Sequence, residues 1–189
     1  MNRSFPAATP WGDGRRRNIG RYQVLSETPY QDKFWDRVVD GLWEPGTLKA
    51  IEDFYQPGRT FVDVGGWIGP TALTALATGY RVVAVEPDPL ARETLQQNIA
   101  LNKGFQHRFT LDGKALAKRS RRGAILSAPT HLGDSMSSLV GWRSRNTVRV
   151  ETQRASDFFR AIPLRAGDVV KFDIEGGEYA ILPGLWNIL

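Results

Sequence analysis

Residues 60–69 read T-F-V-D-V-G-G-W-I-G, and this stretch decides the fold. Its apolar first half is typical of a short buried strand, and its glycines are typical of a turn that leads into a helix. Pro70 follows at a position that the first turn of a helix tolerates, and Gly79 is placed to end that helix. Residues 81–85, R-V-V-A-V, then predict a second buried strand.

The alternation of strands and helices continues along the chain. Asp88 is placed to cap a helix that Pro89 begins and Gly104 ends, and residues 107–111 predict a third strand. Strands separated by single helices imply right-handed parallel crossovers. We therefore expect an α/β fold with a doubly wound, mostly parallel sheet.

Further elements are expected on both sides of this unit. Apolar spacing over residues 32–55 predicts a helical lead-in. Residues 123–127 and 147–152 predict two strands, Ser156 is placed to cap a short helix, and residues 168–174 predict another core strand. We divide the chain into a mobile basic arm (1–30), the lead-in (31–58) and a core (59–189); the arm is expected because three consecutive arginines stand among Pro and Gly.

Composition excludes several classes of protein. The 189 residues include 25 Lys and Arg against 20 Asp and Glu, no cysteine and two histidines. Disulfides, cysteine-ligated metals and thiol nucleophiles are therefore excluded, and we expect no metal site. We found no signal peptide and no apolar run long enough for a membrane span, so we expect a cytoplasmic protein.

The glycine turn and a carboxylate on the next strand indicate a nucleoside cofactor. The helix after the turn is expected to offer free N–H groups, and Glu86 at the end of the second strand is placed to bind both ribose hydroxyls. The spacing of Gly65 and Gly69 lacks the third glycine of a dinucleotide fingerprint, which disfavours an NAD-dependent oxidoreductase. Asp63 would repel a pyrophosphate but suits a cationic ligand, so S-adenosylmethionine (SAM) fits better.

Four motifs resemble the FkbM-type family of SAM-dependent methyltransferases, over roughly residues 41–184. They are G-L-W-E-P (41–45), F-V-D-V-G-G-W-I-G (61–69), V-V-A-V-E-P-D-P (82–89) and V-V-K-F-D-I-E-G-G-E-Y-A-I-L-P-G (169–184). The resemblance implies a class I, Rossmann-like methyltransferase that methylates an oxygen of a small molecule or sugar. It also implies cofactor contacts from Asp63, Gly65, Gly66, Gly69, Glu86 and Ala115, with residues 114–116 bordering the adenine.

The acidic motif of the family would lie beside the transfer site. Asp173 and Glu175 match it, together with Glu178. A hydroxyl acceptor needs its proton removed by a group in hydrogen-bond reach, and Asp173, at the carboxyl end of a strand, is the preferred base. Cofactor binding and capping of the next helix are the alternative roles for Asp173 and Glu175.

The sequence departs from the family pattern in two ways. Trp67 and Pro70 replace the residues usual in the glycine turn. The family also continues through further C-terminal strands, so we expect these to be lacking and the strand over residues 168–174 to be a sheet edge. Two copies of the chain could associate through that edge.

The predicted function is O-methylation of a small metabolite or glycan. One alternative is an RNA methyltransferase that uses a basic loop at residues 114–122, although a nucleic acid is the less favoured partner; salt-dependent RNA binding would distinguish it. The other alternative is a truncated, non-catalytic remnant that binds a cofactor or a partner. Cofactor binding without methyl transfer would distinguish that case.

Overall fold

The structure is a computed structural model that describes residues 14–26, 32–141 and 144–189. Its strands are β1 (Arg15–Ile19), β2 (Tyr22–Ser26), β3 (Thr60–Val64), β4 (Arg81–Val85), β5 (Phe109–Asp112), β6 (Ala115–Ala117), β7 (Arg121–Ser127), β8 (Thr147–Arg154) and β9 (Val169–Phe172). Its helices are α1 (Asp32–Val39), α2 (Pro45–Asp53), α3 (Pro70–Thr78), α4 (Pro89–Leu101), α5 (Ala155–Ala161) and α6 (Glu178–Ile181), with short 3₁₀ turns at Gln106–Arg108 and Leu182–Gly184.

A four-stranded parallel sheet forms the centre of the fold, in the order β5-β4-β3-β9. Side chains alternate across it. Phe61 faces a core built with α1 to α4, whereas Val62 and Val64 face a second core built with α5 and α6. Helices thus cover both faces, which confirms the predicted α/β fold with a doubly wound parallel sheet.

A second sheet packs beside the first, in the order β6-β8-β7. β6 runs parallel to β8 and β7 runs antiparallel to it. The expected basic loop at residues 114–122 is therefore largely β structure: it runs through β6 into the start of β7. Its basic residues are exposed: Lys114, Lys118, Arg119, Arg121 and Arg122.

A β-hairpin occupies part of the segment that we expected to be a mobile arm. β1 and β2 pair antiparallel, and the side chains of Ile19 and Val24 are buried in the core beside α1 to α4. The expectation of a mobile arm was wrong for residues 14–26. Residues 1–13 and 27–30 of the expected arm lie outside the described residues.

One arginine explains why the basic run folds rather than remaining free. Arg17 is 4% exposed, and its guanidinium donates to Asp32, to Asp36 Oδ1 at 2.8 Å and to Ser26 Oγ at 3.2 Å. A buried charge is tolerated where it is paired and hydrogen-bonded. The pairing fastens the hairpin to α1.

Most predicted helix ends are confirmed by local geometry. Asp88 caps α4 by accepting from the backbone N–H groups of Leu90 and Ala91, and Gly79 follows the end of α3. Two predictions were wrong: Ser156 lies inside α5, which has no side-chain cap, and α4 ends before Gly104, at Leu101.

Among the described strands, β9 is one edge of the central sheet, as expected, and β5 is the other. The segment after it leaves Tyr179 and Trp186 exposed. No helix in the described ranges is long and apolar enough to cross a membrane.

Candidate functional site

A cleft lies at the carboxyl ends of β3, β4 and β9, which is where open α/β sheets bind ligands. Its walls come from four parts of the chain: the glycine turn after β3, the segment that follows β4, the strand β6, and the loop that follows β7. Five of its lining residues are acidic: Glu44, Glu86, Asp134, Asp173 and Glu175.

The amides of the glycine turn bind the end of β4. The N–H groups of Gly65 and Gly66 both donate to the carbonyl of Val85, at 2.9 and 3.1 Å. The N–H of Trp67 donates to Glu86 Oε2 at 2.8 Å. The free N–H groups were expected at the start of the following helix, and these three amides, in the turn before it, are used within the protein.

The three glycines of the turn serve different purposes. Gly65 has φ +88°, and a β-carbon there would lie 1.8 Å from the carbonyl oxygen of Asp173. Gly69 has φ +96°, and its β-carbon would lie 2.4 Å from Leu95 Cδ1. Both therefore permit close packing of neighbouring elements. Gly66, which lines the cleft, would place a β-carbon at ordinary contact distances.

Asp63 lies behind the wall of the cleft. It is 0% exposed, and its Oδ2 accepts from Thr71 Oγ1 at 2.6 Å. Burial raises the pKa of Asp63, although the ammonium of Lys171 and the hydroxyl of Thr71 counter this effect. Asp63 and Gly69 are the two predicted cofactor residues that do not line the cleft.

Lys171 connects the buried Asp63 to the cleft. Its Nζ lies 3.5 Å from Asp63 Oδ1 and 3.2 Å from Asp173 Oδ2. Burial disfavours the ammonium, but the two carboxylates outweigh it and raise the pKa of Lys171 above its ordinary value. Lys171 was not predicted as a site residue, because a lysine on a predicted strand gives no sign of which carboxylates it will meet.

Both carboxylate oxygens of Glu86 accept hydrogen bonds from backbone N–H groups. Its Oε2 accepts from Trp67 and its Oε1 accepts from the N–H of Asp88 at 2.8 Å. Burial raises the pKa of Glu86 to about 7, against the lowering effect of these hydrogen bonds. Glu86 lines the cleft, so a ligand hydroxyl can still approach the second lone pair of either oxygen.

The far end of the cleft is apolar. Ala115 and Leu116 of β6 line it, together with Leu126 and Leu139. This is the place at which the resemblance puts the adenine border, and the residue types are suited to a flat aromatic ring.

The acidic motif follows β9. Glu175 has φ +54°, a left-handed conformation that is uncommon outside glycine. Burial and repulsion from nearby carboxylates, first that of Asp173, raise its pKa. Glu178 does not line the cleft; its Oε1 accepts from the N–H of Ile174 at 2.6 Å and fixes the turn.

Backbone strain concentrates at this site. In the described ranges, three residues other than glycine have positive φ: Glu44, Trp67 and Glu175. All three line the cleft. Strained backbone persists where surrounding structure enforces it, and it clusters at functional sites.

The covering loop, residues 128–141 after β7, covers part of the cleft and is held in place by three partners. Asp88 Oδ2 accepts from the N–H of Gly133 at 2.7 Å and from Ser137 Oγ at 2.8 Å. Trp67 Nε1 donates to the carbonyl of Gly133 at 2.9 Å, and Ser138 Oγ donates to the carbonyl of Glu175 at 2.9 Å. These contacts hold the loop against the glycine turn, the start of α4 and the acidic motif.

The structure thus brings six predicted site residues to one cleft: Gly65, Gly66, Glu86, Ala115, Asp173 and Glu175. Among the members that were not predicted are Lys171, Asp134 and the serines of the covering loop. His107 and His131 do not line it, and among the described residues no group of three or more His, Asp or Glu is placed to hold a metal ion.

Comparison with known proteins identifies similar chains. The profile of the methyltransferase FkbM domain matches residues 63–188. A methyltransferase FkbM from Methylobacillus flagellatus KT is 17% identical with a TM-score of 0.45, covering 85% of this chain and 49% of that one. A SAM-dependent methyltransferase from Agrobacterium tumefaciens is 16% identical with a TM-score of 0.37, covering 59% of this chain and 35% of that one. This chain thus spans half or less of those two structures. No curated protein matches it.

Proposed function

Since the chain belongs to the FkbM methyltransferase family, we propose that its cleft binds SAM and that the protein transfers a methyl group to a hydroxyl of a small metabolite or sugar. The observation that carries this proposal is the acidic cleft at the carboxyl ends of β3, β4 and β9.

The charge of the cleft fits this cofactor better than it fits a dinucleotide. SAM carries a sulfonium and an ammonium, and five carboxyl groups line the cleft. A pyrophosphate would need backbone N–H groups, yet those of Gly65 and Gly66 are bonded to Val85. Electrostatics and hydrogen bonding therefore favour a cationic ligand without phosphate.

Three parts of the cleft would hold SAM. Glu86 accepts hydrogen bonds from the ribose hydroxyls, and Ala115 borders the adenine. Gly65 and Gly66 form the floor, where their backbone atoms line the cleft. Asp63 and Gly69 support this floor from behind, the first through Thr71 and the second against Leu95.

Bound SAM supplies an activated methyl group, so the protein must chiefly orient the acceptor oxygen and exclude water. Positioning of this kind can lower a barrier by about 7–11 kcal/mol. The covering loop, fastened to Asp88 and Trp67, would exclude water from the cleft.

Glu175 is the stronger candidate for the general base. Its raised pKa makes its carboxylate a better proton acceptor near neutral pH. Asp173 is the weaker candidate, because its Oδ2 already accepts a hydrogen bond from the ammonium of Lys171. We therefore assign Asp173 to ligand binding.

Calorimetric titration with SAM and with S-adenosylhomocysteine tests the proposal. We expect both to bind and NAD not to bind. Glu86→Ala should weaken both by tenfold or more, whereas Glu93→Ala, which removes an exposed carboxylate on α4, should not. No binding, or equal binding by the wild type and Glu86→Ala, would overturn the cofactor assignment.

The acceptor is then sought with isotopically labelled SAM and a panel of hydroxylated metabolites and sugars. Glu175→Gln should lower the transfer rate by at least about a hundredfold, as expected for loss of a general base. Its affinity for SAM should stay within threefold of the wild type. SAM binding without transfer to any member of the panel would favour the non-catalytic alternative.

A further inference from the structure

Lys171 is the one basic residue among the described residues that line the cleft. It lies on β9, and its side chain is 13% exposed. The ligand proposed above is cationic at its sulfonium and ammonium, but its amino-acid end also carries a carboxylate. An acidic cleft repels that carboxylate everywhere except beside a cation.

The ammonium of Lys171 has a donor left for a ligand. A lysine has three N–H donors. One is donated to Asp173 Oδ2 at 3.2 Å, and the ion pair with Asp63 Oδ1 at 3.5 Å takes at most one more. Asp63 is fully buried and fixed by Thr71, so it anchors the ammonium from behind while the side chain still lines the cleft.

Lys171 also lies on the side of the cleft toward which the amino-acid end of bound SAM would point. Ala115, the proposed adenine border, and Glu86, the proposed ribose ligand, lie on the side of β5 and β4, whereas β9 follows β3 at the opposite edge of the sheet. Neighbouring strands are about 4.8 Å apart. A nucleoside bound at Glu86 therefore directs its amino-acid end across β3 toward β9.

We propose that Lys171 binds the carboxylate of the amino-acid end of SAM, with Asp173 beside it receiving the ammonium. The adjacent positive and negative side chains match the adjacent charges of an α-amino acid. Lys171 then acts as the residue that distinguishes SAM from ligands of the same shape that lack the carboxylate. This inference rests on the proposed function.

Decarboxylated SAM provides the test, because it keeps the adenine, ribose, sulfonium and ammonium and lacks only the carboxylate. Calorimetry should show that the wild type binds SAM at least tenfold more tightly than decarboxylated SAM, as expected for one charge-assisted hydrogen bond. In Lys171→Met this preference should fall to threefold or less, through weaker binding of SAM. Lys171→Arg, which keeps the cation, should retain most of it.

A double variant controls for the possibility that Lys171→Met fails to fold. Lys171→Met leaves Asp63 buried without a counter-charge, so the double variant Asp63→Asn/Lys171→Met is measured beside it. It too should bind SAM and decarboxylated SAM with affinities within threefold of each other.

The outcomes separate this inference from the function on which it rests. Equal affinities of the wild type for the two ligands, or equal weakening of both in the Lys171 variants, would overturn the role of Lys171 and leave the SAM site intact. Failure of the wild type to bind either ligand would overturn the proposed function itself.

Discussion

The carbonyl oxygen of Asp173 lies 1.8 Å from the point at which a β-carbon on Gly65 would stand. The two residues follow adjacent parallel strands, β3 and β9, and the N–H of Asp173 donates to the carbonyl of Val64 at 2.9 Å. Gly65 is therefore required by the neighbouring strand as well as by its positive φ. The candidate site and the joining of these two strands depend on the same turn.

Gly65→Ala should lower the free energy of unfolding by about 3 kcal/mol or more, since it combines a left-handed backbone with a clash against a carbonyl that is part of the sheet. Gly66→Ala is the matched control. Its β-carbon would make only ordinary contacts, so we expect a loss below about 1 kcal/mol. Urea denaturation of the two variants measures the difference, and equal losses would contradict this account of Gly65.

Glu86 should make the stability depend on pH. Burial raises its pKa from 4.5 to about 7 in the folded protein, whereas the unfolded chain ionises near 4.5. Between these values the folded state holds the extra proton, so the free energy of unfolding falls as the pH rises from about 4.5 through about 7. The fall from this group alone is about 3 kcal/mol.

Urea denaturation of the wild type and Glu86→Gln between pH 5 and 8 isolates this effect. The raised pKa values of Asp63 and Glu175 contribute in the same direction, but they do so in both proteins. The variant should therefore show a flatter profile than the wild type. Parallel profiles would mean that Glu86 does not carry the pH dependence.

Asp63 and Lys171 should behave as a coupled pair in folding. Lys171→Met leaves a buried carboxylate without its cation, and we expect a loss of about 3–5 kcal/mol in the free energy of unfolding. Asp63→Asn added to it should recover much of that loss, because no uncompensated charge then remains. Denaturation of both single variants and the double variant gives the coupling energy, and additive losses would show that the pair is not coupled.

The parts of the fold that the sequence predicted are those set by neighbours along the chain. Asp88 caps α4 through residues two and three positions ahead, and the apolar run before Gly65 forms β3 as expected. Such patterns depend only on residues close in sequence, and where they failed, at Ser156 and Gly104, they misplaced the end of a helix that does form.

The parts that the sequence missed depend on distant partners. Arg17 is buried because Asp32 and Asp36 lie across from the hairpin, and a run of arginines alone suggests a solvated segment. Lys171 likewise joins the site only because β9 pairs with β3. Such pairings follow from the topology, which single residues do not reveal.

The covering loop provides the last prediction, since one carboxylate both caps α4 and holds the loop. Asp88 is fully buried; Oδ1 accepts from the N–H of Leu90 at 3.0 Å, whereas Oδ2 accepts from Gly133 and Ser137. Asp88→Asn can keep the cap through Oδ1, but its Nδ2 cannot accept from the N–H of Gly133. Amide hydrogen exchange over residues 129–141 should therefore become about tenfold faster or more, with α4 little changed.

Two further variants separate the roles of this carboxylate. Ser137→Ala removes only one of the two loop contacts, so it should accelerate exchange in the loop by less than Asp88→Asn does. Asp88→Ala removes the cap as well, and it should also speed exchange in the first turn of α4, because loss of a cap costs about 1 kcal/mol. Unchanged exchange in the loop of Asp88→Asn would show that Trp67 and Ser138 suffice to hold it, because their contacts with the loop and the acidic motif remain in every one of these variants.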